Sequence, residues 1–204
     1  MHESEQETQH RELVTQRLSN EGRKYFKYIE FDENEELIAE IRKHPIGTLL
    51  ILLTGALVIL AILIITGLLL SFDINGFVGE GNVNGMKPIF VLLAGFLIFG
   101  TVSATLIGLF LYRNNVIYVT NEKIAQVLYT SIFHRKISQL SIGDVQDVTV
   151  TQNGLVAHMF DYGTLVIETA GEQQNYSFTY VPDPYQHSKL IVGAHERNLV
   201  QYGN

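Results

Sequence analysis

Two stretches of this chain, 46–72 and 88–112, contain no Asp, Glu, Lys or Arg, and all 14 basic and 21 acidic residues fall outside them. An apolar helix needs about 20 residues to cross a hydrocarbon core ~30 Å thick, and both runs exceed that. Lipid offers backbone amides no hydrogen-bond partner, so a segment that spans it must satisfy them internally, as a helix does. A simple soluble globule is therefore excluded. The first run would extend about 40 Å at 1.5 Å per residue, which requires tilt or ends that leave the hydrocarbon. It begins at Ile46, too deep in the chain and too long for a cleaved signal peptide, and reads as a retained anchor.

Between the runs, 73–87 holds four glycines and three asparagines and reads as a loop with little room for a folded domain. The second run carries Gly100, Ala104 and Gly108 at intervals of four, which sets three small residues on one helix face. Small residues let helix backbones approach closely, so this face is the candidate packing surface for the first span or for a second copy of the chain. Lys27, Arg42 and Lys43 precede the first run, Arg113 and Lys123 follow the second, and only Lys87 lies between them. By the excess of basic residues on the cytoplasmic side, both termini and everything after Arg113 are expected to be cytoplasmic.

The flanks differ in character. Residues 1–24 are polar, with Leu13, Val14 and Leu18 their only sizeable apolar residues, and are expected to be mobile. Residues 25–45 form an ordered juxtamembrane segment whose periodicity fits either a helix or a short strand. From 113 to the end the pattern has period two: Val148 and Val150, Leu165 and Ile167, and Tyr176, Phe178 and Tyr180 alternate with polar neighbours. With 116–120, 123–129 and 136–142 these make six short strands, the mark of a sandwich or open barrel. Asp183-Pro184 then opens a helix to about Val200, with Leu190, Ile191 and Ala194 toward the sheet and Gly193 weakening it by about 1 kcal/mol relative to alanine. The expected fold is a membrane α-helical hairpin, 46–112, followed by an all-β domain with a C-terminal helix.

Four pieces stand out in order: Arg42-Lys43-His44-Pro45 ahead of the first run, Val119-Thr120-Asn121-Glu122-Lys123-Ile124, Ile142-Gly143-Asp144-Val145-Gln146-Asp147-Val148, and Phe160-Asp161-Tyr162-Gly163-Thr164-Leu165 with Glu168-Thr169-Ala170-Gly171. Together they resemble the bacterial pleckstrin-homology (PH) domain membrane proteins of YdbS-like type. The resemblance spans about 30–195. It implies a PH-like pair of antiparallel sheets closed by the C-terminal helix, in a protein of the bacterial plasma membrane, and brings no catalytic residues. Lys123 stands where the family more often has arginine, and Gly143 is an unusual choice before its strand. Gly163 is expected where the chain bends sharply into a strand.

The chemistry-bearing residues do not assemble into a catalytic pattern. Without cysteine, disulfides, thiolate metal sites and thiol catalysis are excluded. There is no Gly-x-Ser-x-Gly, phosphate-cradling glycine loop or His-Glu-x-x-His. Asp144 and Asp147, three apart on a strand, point to opposite faces and cannot share a proton. His187 and His195 lie eight apart on the predicted helix without the i+3 or i+4 partner of a helical metal site, and read as solvated. Asn175-Tyr176-Ser177 matches a glycosylation sequon but falls on a predicted strand. No ionisable side chain lies inside either run, which argues against a transport pathway. Net charge is −7, with no basic stripe for nucleic acid. His134-Arg135-Lys136 is the densest basic cluster after Arg113 and the candidate contact for anionic headgroups, worth about 1 kcal/mol per basic residue.

The expected function is that of a non-enzymatic membrane protein, without cofactor or metal, presenting a cytoplasmic PH-like domain to a protein partner or to the membrane surface. Its partners are the lipid bilayer, an unidentified protein and, through the small-residue face, a second copy. The alternative is an accessory subunit of a transport or envelope-stress complex, recruited through the second span.

Overall fold

The computed structural model describes residues 18, 20, 22, 23, 29, 35–71, 86–169 and 175–202. The chain divides into two compact units, Thr48–Phe110 and the combination of Met1–Gly47 with Leu111–Asn204. The expected loop 73–87 and the turn 170–173 lie almost wholly outside the described residues.

The first unit is a pair of long helices, α1 (Pro45–Ser71) and α2 (Lys87–Asn114), whose ends reach into the neighbouring unit. Only 6% of the most apolar stretch of each is buried. Both are long and apolar enough to cross a membrane, and their leucines and isoleucines face outward. Hydroxyls within them are satisfied locally: Thr54 donates to the Leu50 carbonyl at 2.8 Å, Thr66 to Ile62 at 2.7 Å, Thr101 to Leu97 at 2.9 Å and Thr105 to Thr101 at 2.8 Å. Each closes a bond one turn back, which hides a polar group from an apolar surround. Within this unit the helices approach closely at Gly55, where an added Cβ would come within 2.5 Å of Thr105 Oγ1.

The second unit is a seven-stranded β structure among the described residues. One sheet has the order β1 (Leu37–Arg42), β2 (Val116–Thr120), β3 (Lys123–Tyr129), β4 (Arg135–Ser141), and the other β5 (Val145–Thr151), β6 (Tyr162–Thr169), β7 (Tyr176–Pro182). All pairings are antiparallel. A 3₁₀ turn, Ile142–Asp144, joins the sheets; a short helix α3 (Leu155–Met159) links β5 to β6; and α4 (Pro184–Tyr202) closes the core. Ile41, Ile117, Val119, Ile124, Leu165, Ile167, Phe178 and Val181 meet between the sheets, with Ile191 and Ala194 of α4 packed into the same cluster. This is the PH-like sandwich that the resemblance implies, and α4 begins at Pro184 as expected.

The seventh strand comes from ahead of the helices. Residues 37–42, left open between helix and strand by their periodicity, pair along β2 from Leu37↔Thr120 to Arg42↔Val116. The β unit therefore does not begin at 113; it takes its first edge from the segment expected to be juxtamembrane. A side-chain bridge fastens the start of this ladder: Glu36 N donates to Asn121 Oδ1 at 2.7 Å, and Asn121 N returns to Glu36 O at 3.1 Å. Glu35, fully buried, meets Lys123 Nζ at 2.9 Å and lies 2.6 Å from Thr120 Oγ1. The lysine that stands in place of the family's arginine thus neutralises the one buried acid among the described residues.

All five residues of β2 are buried. The sandwich core covers one face; on the other, Val116 and Tyr118 join Leu18, Ile29, Leu37, Ala125 and Val127 in a second apolar cluster, and Tyr118 OH donates to Gly22 O at 3.0 Å. The segment 1–24, expected to be mobile, lies outside the described residues except for Leu18, Asn20, Gly22 and Arg23, and Leu18 is 4% exposed in this cluster.

Two glycines in this unit separate by what surrounds them. At Gly163 an added Cβ would stand 2.8 Å from the Thr151 carbonyl and 2.9 Å from Gln152 Cγ, so close strand packing, rather than the sharp bend expected, demands glycine there. At Gly193 on α4 nothing lies within 4 Å. Gly193→Ala is therefore expected to stabilise the protein by about 0.5–1 kcal/mol through helix propensity, and Gly163→Ala to destabilise it by about 1–3 kcal/mol through overpacking, both read by denaturation of the detergent-solubilised chain. Glu35→Ala, which strands a lysine ammonium beside a buried cavity, should cost about 3 kcal/mol in the same measurement; a loss under a few tenths would show that the pair contributes nothing.

Candidate functional site

The strand register brings both connections to the helices to one end of the sandwich. Arg42 pairs with Val116, so Lys43-His44-Pro45, which enters α1, lies beside Asn114-Asn115, which leaves α2. The second sheet reaches the same place through His44, whose N–H donates to Tyr180 O at 2.6 Å and whose ring stacks on Tyr162 at 5.4 Å.

Local sequence explains how the aromatic side chains gather there. Period-two alternation puts Tyr180 on the same face of β7 as Phe178, yet Val181 is the residue buried next after Phe178. Between Gly163↔Val181 and Leu165↔Phe178, β6 advances two residues while β7 advances three, so β7 carries a bulge. Tyr180 takes φ +59° at this bulge, in a region that costs a residue with a large side chain of order 1 kcal/mol or more. The turned ring stacks on Tyr162 at 5.5 Å and meets Tyr112 edge-on at 5.9 Å. Tyr112 OH donates to His44 O at 2.7 Å, and Gly47 leaves room for that ring, which a Cβ there would overlap. His44 Nδ1 accepts from Ile46 N at 3.1 Å, which caps the first turn of α1. Asp161 and Asp183 also have positive φ, +47° and +41°, and Asp183 N donates to Asp161 O at 2.9 Å. The strained non-glycine residues among the described ones thus gather at this end.

Beside the aromatic stack is a cavity of about 180 Å³ between the two sheets, walled by apolar Val116, Leu128, Phe178 and Val181 and entered past Lys43 and Thr179. Lys43 Nζ lies 3.3 Å from Thr179 Oγ1 and 5.2 Å from the Tyr112 ring centre. Among the described residues no carboxylate stands within 4 Å of it, whereas neighbouring Arg42 is paired with Glu40 at 2.8 Å. Burial holds the Lys43 ammonium below the ordinary lysine pKa. The cavity therefore offers one poorly compensated positive charge, hydroxyl groups and an apolar wall, which together suit an anionic group with apolar substituents.

The residues singled out from the sequence fall in three places. His134, Arg135 and Lys136 are exposed at the β3–β4 turn, closed by Thr130 and Ser131 N–H groups on the His134 carbonyl. Tyr129 N donates to Asn115 Oδ1 at 2.7 Å, which sets this turn at the same end as Lys43. Gly100, Ala104 and Gly108 belong to the helical unit: nothing lies within 4 Å of a Cβ at Gly100, Ala104 is exposed, and Gly108 faces Ile51 at 3.6 Å. His187 and His195 are far apart in role; His195 Nδ1 bonds the Ile142 carbonyl at 2.7 Å and ties α4 to the 3₁₀ turn, rather than standing in solvent, and His187 Nδ1 bonds Asp183 O at 3.1 Å. Lys43 and Tyr180 were not singled out as site residues. The basic Arg42-Lys43-His44-Pro45 run was the visible signal for the first; nothing local marks the bulge that turns the second.

No curated protein matches the chain. Among solved structures, a DUF1696 family protein with a pleckstrin-homology domain from Shewanella loihica PV-4 is similar over 40% of this chain and 70% of its own, with a TM-score of 0.32 and 16% identity. The bacterial PH domain family model matches residues 37–191, from the first residue of β1 through both helices and all seven strands into α4. By that match over most of its length, the chain belongs to the bacterial PH domain family.

Proposed function

We propose that this protein is a non-enzymatic, membrane-anchored interaction module, in which α1 and α2 hold a cytoplasmic PH-like sandwich against the bilayer and the Lys43 cavity takes an anionic group at the membrane surface. The observation that carries the reading is the placement of Lys43: a half-buried ammonium without a carboxylate partner among the described residues, two residues before Pro45 opens an apolar helix. A charge held in that setting gains most from an anion that brings its own apolar portion, and a phospholipid headgroup is the anion nearest to a chain entering a bilayer. The basic turn His134-Arg135-Lys136 adds attraction of the same sign. Docking of a protein partner on the sandwich is the competing use of the same end.

A second reading has one observation in its favour. The helices approach closely at Gly55 and Thr105, while Gly100 and Ala104 stay exposed and could meet a second copy or a subunit of a larger complex.

Native mass spectrometry of the purified full chain with phosphatidylglycerol tests the cavity. Lys43→Gln is expected to lower retained phosphatidylglycerol about five-fold, the ratio that ~1 kcal/mol represents, with phosphatidylcholine retention unchanged. Equal loss of both lipids, or of neither, would remove the headgroup reading. Orientation has its own check in a chain without native thiols: Glu80→Cys should react with an impermeant maleimide on intact cells and Asn175→Cys only after lysis. Labelling of position 175 from outside would overturn the cytoplasmic assignment.

A further inference from the structure

Two exposed apolar segments flank the point where the chain passes to and from the helices. One is the β3–β4 turn, where Phe133 is 97% exposed and Ile132 43%. The other is α3 with the residue after it, where Leu155 is 75% exposed, Met159 69% and Phe160 50%. Water-facing loops usually place polar residues at such tips, and a side chain as large as phenylalanine left wholly uncovered marks a surface that something else covers.

Topology brings the two segments to the same end. Tyr129↔Arg135 closes the β3–β4 ladder beside Asn115, the first residue after α2. Thr151↔Thr164 closes β5–β6 at its α3 end, and Tyr162, which opens β6, stacks on His44, one residue before α1. Neither segment contains a carboxylate: none occurs from Tyr129 to Gly143, or from Gln152 to Phe160. The first also carries Arg135 and Lys136 next to its apolar tip. The α3 segment has no lysine or arginine and is followed by the exposed Asp161, so its contact is apolar alone, whereas the first tip can also meet phosphate; large apolar groups at the boundary between headgroups and acyl chains bury ~5–10 Å deep. Tyr112, Tyr162 and Tyr180 pack together at this end, and tyrosine favours that same boundary.

We infer that Ile132-Phe133 and the α3 face Leu155, Met159 and Phe160 insert into the leaflet that α1 enters, so that the sandwich rests on the bilayer by two apolar fingers as well as by its helices. The occupant is the lipid bilayer because the chain itself continues from this end into two long apolar helices of 27 and 28 residues, charged only at the ends of the second. This inference rests on the anchored reading above. It differs from the Lys43 cavity in residues and in chemistry: the fingers act by apolar burial and need no anionic lipid.

Depth-dependent quenching in the full chain, reconstituted in phosphatidylcholine nanodiscs, tests it. Single cysteines are introduced as Phe133→Cys, Met159→Cys, Ile64→Cys within α1, and Glu122→Cys at the β2–β3 turn away from this end, and each is labelled with an environment-sensitive fluorophore. Labels at 133 and 159 are expected to lose about half their emission with a shallow doxyl lipid, as insertion of ~5–10 Å requires, while 122 stays unquenched. Quenching at 64 but none at 133 and 159 overturns the fingers and leaves the anchor standing. Absence of quenching at 64 overturns the anchor and the fingers with it. Quenching at 122 equal to that at 133 overturns the assignment of this end to the bilayer.

Discussion

The antiparallel ladder between Leu37–Arg42 and Val116–Thr120 joins two segments separated in sequence by both long apolar helices. Its direction places the end of one strand beside the start of the other, so whatever lies between Lys43 and Asn115 must leave and return at a single point on the sandwich. The cavity, the aromatic stack and both apolar fingers follow from that constraint. Each is built from the strand ends and turns that the ladder brings to this point: Lys43 and His44 after β1, Asn115 before β2, the turn beyond β3, α3 before β6, and the bulge near the end of β7.

Local strain marks the same place. Tyr180, Asp161 and Asp183 adopt backbone angles that isolated residues avoid, and they persist because the surrounding contacts over-determine them. The bulge in β7 turns an aromatic ring out of the strand's regular alternation and against Tyr162 and Tyr112, and the Tyr180 carbonyl receives the N–H of His44. One irregularity in the second sheet therefore ties that sheet to the edge of the first. The far end of the ladder has a different device, a buried Glu35–Lys123 pair with Thr120 beside it, so β1 is fastened at both ends by polar contacts and along its length by the ladder.

Much of the architecture was legible because it rests on composition and short-range periodicity. The uncharged runs fall on α1 and α2, the alternation around Leu165 and Ile167 is the buried face of β6, and Pro184 opens α4. Less was legible where one residue serves two surroundings. The strand 37–42 shows one buried position at each end of a partly exposed stretch, a pattern too short to separate from a helix face, and only its partner Val116–Thr120, eighty residues on, decides it. The site shared this limit: Lys43 counted as one basic residue near a span, and Glu35 as one of several acids.

What the sequence determined by itself is the existence of two apolar helices, an antiparallel β unit after them and a closing helix, since hydrophobic run length and period act over neighbouring residues and need no distant partner. Tertiary structure alone decided that the β unit reaches back across the helices for its first strand, that β2 is covered on both faces, that Tyr180 turns out of its strand, and that Lys43, Phe133 and Leu155 come to one end. Each depends on register between segments far apart in the chain, and register is set by which apolar faces can be buried together, a property of pairs of segments that neither one carries alone.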